Sequence, residues 1–493
     1  ALYFWRAAIE QPCFESHAVF LWLVCDMIGV LGVVHRPFRC RALRCMSTTT
    51  WPNVDSTTRA TFSLLDYDAI GFDLDNTLAR YRLPALFELI HQSVRDYLST
   101  NGKRPTSRLW PSARAFSQRG LLLDKKRGLL VKFDASGRVD RAMKGLTRLS
   151  HAEWLRIQWI EDSKKLKTAA VNRFNSQVKQ LEKEYTGLSF QRDLRPSPEW
   201  YNFADYFTVP TETLYADMVA CAEPESSLEP LWDDLLAGII HFYRPHGPRA
   251  TTLLQAPDLL VRPCPQSVRD WIRSLRDTGT RTFLLTGSEP LLAFAIATHA
   301  LGAQWRDLFD VVIVGANKPA FFTDISLPFQ VIEDDGSTRP LGVDEQLRAD
   351  FVYCGGNWTT FCERWLGGRR ALYVGDSLVD DIVASQGCCD SVAVLEELCV
   401  EAAASEPAVH DGIDYLVSNV WGSVFASPQG PSYLTKTLCE SAKLAVPDVV
   451  QLSKLSHTIP AFDGTVGLSG FYPRPPKPLV SVLTQSSAAV RTE

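Results

Sequence analysis

The sequence lacks the features of several large classes of protein. Its twelve cysteines form no Cys-x-x-Cys pair and no cysteine and histidine cluster with the spacing of zinc ligands, which argues against a zinc module. Excess basic charge is also missing, because the formal net charge is −5, so we expect no nucleic-acid partner. The sequence contains no internal repeats, and the scattered cysteines favour a reduced, intracellular protein.

Long hydrophobic runs are scarce as well. Residues 18–34 are apolar except for Asp26, a run that is marginal for a membrane span, and several arginines follow it. This segment suits a signal anchor or an organellar leader. Alternatively, translation begins at Met46, which we favour. We therefore expect a cytoplasmic protein that does not span a membrane, or a mitochondrial or other organellar one if residues 1–45 are a genuine leader.

What the sequence does contain is a short apolar strand that runs into two carboxylates. Residues 70–78, Ile-Gly-Phe-Asp-Leu-Asp-Asn-Thr-Leu, place Asp73 and Asp75 at the carboxyl end of a predicted strand, where open α/β sheets bind ligands. Strand periodicity predicts that the two side chains point the same way. One carboxylate can then attack a phosphorus atom while the other exchanges a proton with the leaving oxygen. Two close acids repel each other, so we expect a divalent cation, for which Mg²⁺ is suited.

Three later segments end in side chains that complement this pair. Each is a short apolar run bounded by turn residues, which favours a strand. The segments and their polar residues are 281–288 with Thr286, Gly287 and Ser288; 309–319 with Lys318; and 370–381 with Asp376, Asp380 and Asp381. Together they supply hydroxyls for a phosphate, a cation to balance its charge, and further carboxylates for a metal.

In this order the four motifs resemble those of the haloacid dehalogenase superfamily. Residues 120–145 and 308–322 are similar to its cytosolic purine 5′-nucleotidase branch, and the similarity runs from about residue 64 to about residue 470. The resemblance implies an α/β fold, with a Rossmann-like three-layer core around a parallel sheet. It also implies an inserted, mostly helical cap that contains a small β-meander.

The resemblance assigns a role to each motif residue. Asp73 would be the nucleophile that forms an aspartyl-phosphate, and Asp75 the general acid and then the general base. The phosphoryl group would be held by Thr286, Gly287, Ser288 and Lys318. Mg²⁺ would be held by Asp73, the backbone carbonyl of Asp75, Asp376 and Asp381, with Asp380 as an extra candidate.

Two positions depart from the branch. Gly287 stands where its purine nucleotidases carry an asparagine, so that one phosphate donor is missing, and Lys144 replaces a histidine that usually closes the meander. We predict Mg²⁺-dependent hydrolysis of a nucleoside 5′-monophosphate, with a purine favoured and a homo-oligomer as one option. A phosphatase or phosphotransferase for another small phosphate ester stays open. So does a low-activity, nucleotide-binding regulatory or scaffold protein.

The predicted organisation has five parts. These are a leader over 1–60, a first core part over 61–85, the cap over 86–262, a second core part over 263–420, and a C-terminal extension with a Pro-rich tail over 421–493. Helices are predicted over 86–98, 150–187, 229–243 and 266–278. Aromatic residues between 200 and 207 could stack a purine, but a cap core is the favoured interpretation.

Overall fold

The computed structural model describes residues 60–102, 115–150, 152–154, 200–223, 226–244, 246–402 and 416–489. The predicted leader, and nearly all of the helical stretch predicted over 150–187, lie outside these residues. The strands are β1 (Thr61–Phe62), β2 (Ala69–Phe72), β3 (Leu121–Asp124), β4 (Leu129–Phe133), β5 (Val139–Lys144), β6 (Thr147–Arg148), β7 (Trp200–Phe203), β8 (Arg281–Leu285), β9 (Val311–Val314), β10 (Phe329–Ile332), β11 (Thr338–Pro340), β12 (Val352–Gly355), β13 (Ala371–Gly375), β14 (Asp390–Val394), β15 (Ala426–Ser427), β16 (Gly430–Pro431), β17 (Leu444–Val446) and β18 (Ile459–Pro460).

The α-helices lie between or after these strands. They are α1 (Leu83–Thr100), α2 (Glu212–Ala220), α3 (Glu229–Tyr243), α4 (Pro248–Gln255), α5 (Pro257–Leu260), α6 (Gln266–Asp277), α7 (Pro290–Leu301), α8 (Ala320–Thr323), α9 (Trp358–Phe361), α10 (Glu397–Glu401), α11 (Tyr433–Ser441), α12 (Val449–Ser453) and α13 (Lys477–Ala489). The helices predicted over 229–243 and 266–278 are confirmed, and the one predicted over 86–98 is longer at both ends. No helix in the described ranges combines the length and the apolar character that crossing a membrane requires.

A nine-stranded sheet forms the core, in the order β11-β10-β12-β9-β8-β2-β13-β14-β17. From β12 to β17 all neighbours are parallel, whereas β10, near one edge, runs antiparallel to both of its neighbours, β12 and β11. This confirms the predicted α/β fold with a parallel sheet. The four motif strands, β9, β8, β2 and β13, are adjacent in the sheet, so their carboxyl ends meet at one edge.

Both faces of the sheet are covered, which explains why its strands are apolar without alternation. Along β2, Ile70 and Phe72 belong to one buried cluster, whereas Ala69 belongs to a second cluster on the opposite face. The first cluster includes residues of α1, α6 and α7, and the second includes residues of α8 and α9. Gly71 has no side chain because the ring of Phe283 occupies that space, 2.0 Å from where a Cβ would stand.

The cap contains a five-stranded antiparallel sheet in the order β6-β5-β4-β3-β7, and its β3 to β5 are the predicted meander. Its aromatic residues are mostly buried, since Tyr201 is 7% exposed and Phe203 is 0% exposed. The ring of Tyr201 lies 4.4 Å from that of Trp232 on α3, as in a cap core. One apolar cluster contains both Phe72 of the core and Trp232, so the cap packs directly on the core.

The core sheet includes one strand beyond residue 420, where the C-terminal extension is predicted to begin. Strand β17 joins the sheet beside β14, and its short Leu-Ala-Val sequence carries no motif that would reveal it. Strand β14 ends at Val394, and α10 follows. The segment between the last motif and β17 also contacts the cap, because the Lys132 ammonium of β4 donates to the backbone carbonyls of Trp421, Ser423 and Ala426.

Candidate active site

The carboxyl ends of the four motif strands bring the predicted site residues together. Asp73 directly follows β2, Thr286 follows β8, and Asp376 follows β13, while Lys318 lies in the loop after β9. Each of these residues is largely buried, and Asp73 is 4% exposed. Their convergence is the arrangement that the sequence predicted from separate segments.

Lys318 is the cation at the centre of the site. Its ammonium donates to Asp73 Oδ1 at 2.8 Å, to Asp381 Oδ1 at 2.6 Å and to the hydroxyl of Tyr373 at 3.1 Å. Burial opposes its charge, but the carboxylates of Asp381 and Asp73 raise the pKa of Lys318 well above its usual value. The lysine therefore stays charged and can stabilise negative charge on a neighbouring phosphoryl group.

Three buried carboxylates cluster beside Lys318. Ligand oxygens of Asp73, Asp376 and Asp381 all lie within 4.8 Å of one another, and in the described ranges no other residue belongs to this cluster. Burial, followed by the charges of Asp73 and Asp381, raises the pKa of Asp376 well above its ordinary value. One lysine cannot balance three carboxylates, and hard oxygen donors suit Mg²⁺. The donor set therefore fits the cation predicted from the sequence.

Gly375 permits this cluster to form. A Cβ at this position would lie 2.4 Å from Asp381 Oδ2, so only glycine lets the aspartate approach the end of β13. The same oxygen accepts the backbone N–H of Ser377 at 3.1 Å. These two contacts fix the Asp381 carboxylate against the strand that carries Asp376.

The Asp75 carboxylate has different hydrogen-bond partners from the Asp73 carboxylate. Strand β2 ends at Phe72, so both aspartates lie in the following turn, where a period of two no longer applies. Asp75 Oδ1 accepts the Tyr81 hydroxyl at 2.7 Å, and Oδ2 accepts the Ser288 hydroxyl at 2.6 Å. Its carboxylate is outside the acidic cluster, whereas the Asp73 carboxylate is part of it.

The turn after β8 presents small polar groups beside Asp75. Thr286 is buried, and its hydroxyl accepts the backbone N–H of Ser288 at 3.1 Å. Gly287 is exposed, and a Cβ there would meet only the Ala316 carbonyl at 3.4 Å and Lys318 Cε at 4.0 Å. The turn thus has room for a larger side chain at the position where the resemblance expects asparagine.

Sequence reasoning missed two residues that contact the motif side chains. Tyr373 of β13 accepts from Lys318 and donates to the Leu285 carbonyl at 2.7 Å. Arg249 of α4 donates to Asp75 Oδ1 at 3.2 Å, although 174 residues separate the two in the sequence. Nothing in the local pattern marks either residue, because one is an ordinary strand residue and the other lies on a cap helix.

A third missed group holds the turn that carries Asp376. Arg119 forms a two-point ion pair with Glu397 at 2.8 and 2.7 Å, and it donates to the backbone carbonyl of Asp376 at 3.2 Å. The Tyr206 hydroxyl donates to the same Glu397 carboxylate at 2.6 Å. Arg119 and Tyr206 belong to the cap, so the cap is bonded to the core beside the acidic cluster.

Known proteins are similar in sequence to most of this chain. A model of the 5′ nucleotidase family matches residues 59–411. The chain is 27% identical over 461 residues to 5′-nucleotidase domain-containing protein 1 of Bos taurus, covering 84% of this chain and 96% of that protein. It is 29% identical over 357 residues to 5′-nucleotidase domain-containing protein 1 of Homo sapiens, covering 68% and 73%.

The human 5′-nucleotidase domain-containing protein 2 is 28% identical over 339 residues, covering 65% of this chain and 58% of that protein. The fold, the acidic site and these comparisons define a phosphoric monoester hydrolase. The chain belongs to the 5′-nucleotidase family. Among solved structures it is similar to a predicted phosphoglycolate phosphatase from Haemophilus somnus, with 13% identity, 67% and 87% coverage, and a TM-score of 0.25, a likeness too low to support a structural argument.

Proposed function

We propose that the protein is a Mg²⁺-dependent phosphomonoesterase that hydrolyses a nucleoside 5′-monophosphate, with purines favoured, through an aspartyl-phosphate on Asp73. The observation that supports this most directly is the convergence of Asp73, Lys318 and the acidic cluster at the ends of adjacent strands. The choice of nucleotide rests on family membership and on the names of the relatives.

In the first half-reaction, a carboxylate oxygen of Asp73 attacks the phosphorus atom, and the bond from phosphorus to the 5′ oxygen breaks. Asp75 donates a proton to that leaving oxygen, so the nucleoside departs as an alcohol. Lys318 stabilises charge on the phosphoryl oxygens, while the hydroxyls of Thr286 and Ser288 and the backbone at Gly287 hold them.

In the second half-reaction, water attacks the phosphorus atom of the aspartyl-phosphate. Asp75, now a carboxylate, accepts the proton of that water, and the bond between phosphorus and Asp73 breaks. Inorganic phosphate leaves, and both aspartates return to their starting states. A bound Mg²⁺, held by Asp73, Asp376, Asp381 and the Asp75 backbone carbonyl, would supply positive charge to the phosphoryl oxygens.

The test measures phosphate released by the full chain from IMP, GMP, AMP and p-nitrophenyl phosphate, with Mg²⁺ and with EDTA. We expect Mg²⁺-dependent release from at least one nucleotide. Asp73→Asn should lower the rate by about a thousandfold or more, since it removes the nucleophile. The control is Asp344→Asn, an exposed aspartate in the segment between β11 and β12.

Other outcomes favour the alternative functions. Release from p-nitrophenyl phosphate but from no nucleotide would favour a phosphatase for another phosphate ester. Thermal stabilisation by nucleotides without any release would favour a regulatory or scaffold protein. The cytoplasmic location and the homo-oligomer stay predictions.

A further inference from the structure

We infer that Arg249, supplied by the cap, is a positioning residue that orients Asp75 for proton transfer to an alcohol leaving group. The inference rests on the function proposed above. A single guanidinium nitrogen of Arg249 lies 3.2 Å from Asp75 Oδ1 and 3.4 Å from the hydroxyls of both Tyr81 and Ser288. Arg249 therefore reaches from α4 to the two sides of the Asp75 carboxylate.

The two oxygens of Asp75 have different surroundings. Oδ1 accepts from Tyr81 and from Arg249, neither of which the mechanism above uses. Oδ2 accepts from Ser288 at 2.6 Å and lies 3.5 Å from the Thr286 hydroxyl. When a phosphoryl group takes the bonds of those two hydroxyls, Oδ2 becomes the oxygen that can carry the proton. Oδ1 stays bonded, which fixes the plane of the carboxyl group.

Arg249 is itself held in place. Its guanidinium carbon lies 5.4 Å from the ring centre of Phe207 and 5.6 Å from that of Tyr243, and only 11% of its side chain is exposed. Contacts of a guanidinium with aromatic faces are favourable at such distances. Since α4, Phe207 and Tyr243 belong to the cap, the cap fixes the orientation of a core carboxylate.

A leaving-group comparison tests this role. The 5′ oxygen of a nucleoside needs a proton to leave, whereas p-nitrophenolate leaves readily without one. A misoriented Asp75 therefore slows hydrolysis of the nucleotide and not that of p-nitrophenyl phosphate. We expect Arg249→Met to lower kcat for the nucleotide about 10- to 100-fold and kcat for p-nitrophenyl phosphate less than about threefold. A role in folding or in phosphate binding would lower both alike.

Matched variants complete the experiment. Tyr81→Phe removes the other donor to Oδ1 and should show the same selective loss, which keeps the test valid if Arg249→Met folds poorly. Arg249→Lys should recover part of the nucleotide activity, and Arg244→Met, at an exposed arginine in the preceding turn, should change neither activity. Thermal unfolding reports folding in each case.

The outcomes are distinguishable. A selective loss on the nucleotide supports the positioning role. Equal losses on both substrates, or no loss on either from Arg249→Met and Tyr81→Phe, would overturn it while leaving the proposed function intact. A wild-type chain that releases phosphate from neither substrate would overturn the proposed function and this inference together.

Discussion

Arg119 and Glu397 form a two-point ion pair whose side chains are only 2% and 1% exposed. The pair joins the cap to the start of α10, and Arg119 also donates to the carbonyl of Asp376. Burying two charges is expensive, and here the penalty is offset by a forked geometry and by the Tyr206 hydroxyl. Removing one partner alone would leave a buried charge without its counterion.

Arg119→Met should lower the free energy of unfolding by about 3–5 kcal/mol, because it leaves the buried Glu397 carboxylate without its counterion. Urea denaturation measures this. The double variant Arg119→Met, Glu397→Leu should lower the free energy of unfolding by less than Arg119→Met alone. Arg370→Met, in a pair with Asp390 whose side chains are 51% and 25% exposed, is the control and should cost about 0–1 kcal/mol. A cost below about 1 kcal/mol for Arg119→Met would contradict the assigned role.

Mg²⁺ should stabilise the folded chain if the acidic cluster binds it. At a concentration one hundred times the Kd, the expected gain is about 2.7 kcal/mol, seen as a rise in Tm that EDTA reverses. Asp376→Asn should abolish the rise, and Asp344→Asn should leave it unchanged. A rise of equal size in the Asp376 variant would place the cation elsewhere.

Gly375→Ala should damage the same cluster without removing a carboxylate. The added methyl group would stand 2.4 Å from Asp381 Oδ2, so the aspartate must move away from Asp73 and Asp376. We expect loss of most of the Mg²⁺-dependent rise in Tm. Gly467→Ala is the matched control, since no atom lies within 4 Å of its Cβ position. An unchanged response to Mg²⁺ would show that Asp381 does not need this close approach.

Glu212 gives the protein a pH dependence that is independent of the site. Its carboxyl is fully buried and accepts the backbone N–H of Gln118 at 2.9 Å, and burial raises its pKa well above 4.5. As pH rises past 4.5, the unfolded chain loses this proton while the folded chain keeps it. Folding stability from this group is therefore complete at lower pH and declines as pH rises.

Glu212→Gln should remove this decline, because the amide stays neutral and its carbonyl can still accept from Gln118. We expect the variant to be more stable than the wild type by about 1–3 kcal/mol at pH 8 and nearly equal to it at pH 4.5. Denaturation at both pH values measures this, with exposed Glu229→Gln as control. A gain of the same size at both pH values would contradict the explanation.

Gly287→Asn should raise activity on purine nucleotides. The backbone at this position is not left-handed, and a Cβ meets nothing closer than 3.4 Å, so the position accepts a Cβ without strain. One additional hydrogen bond to a charged phosphate is worth about 1.5–3 kcal/mol, so kcat/KM should rise about 10- to 150-fold. Gly287→Ala fills the space without adding a donor and should give no gain. Equal effects of the two variants would show that the missing amide is unimportant.

The sequence predicted the parts of the fold that local pattern controls. Short apolar runs that end in Asp73, Thr286 and Asp376 are enough to predict buried parallel strands, and the carboxyl ends of such strands share one edge. The hydrogen-bond partners of Asp75 could not be predicted from the pattern, because β2 ends at Phe72 and both aspartates lie beyond the strand.

The partners of these residues could not be predicted in the same way. Arg119 and Glu397 are 278 residues apart, and Lys318 and Tyr373 are 55 apart, with ordinary sequence around each. Such pairs are selected by tertiary packing, which a single sequence does not display. Strand β17 was missed for a related reason, since three apolar residues are too few to show a period.

The Lys132 ammonium holds three backbone carbonyls from the stretch that follows the last motif, at 2.9 Å for Trp421 and 3.3 Å for Ala426. Every residue type has a backbone carbonyl, so these hydrogen bonds tolerate substitution of the residues that supply the acceptors. Together with the contact between Arg119 and Glu397, the Lys132 ammonium anchors the cap at two points. The cap is therefore tethered to the rest of the chain, and a rigid-body movement of the cap would have to move residues 421–426 with it.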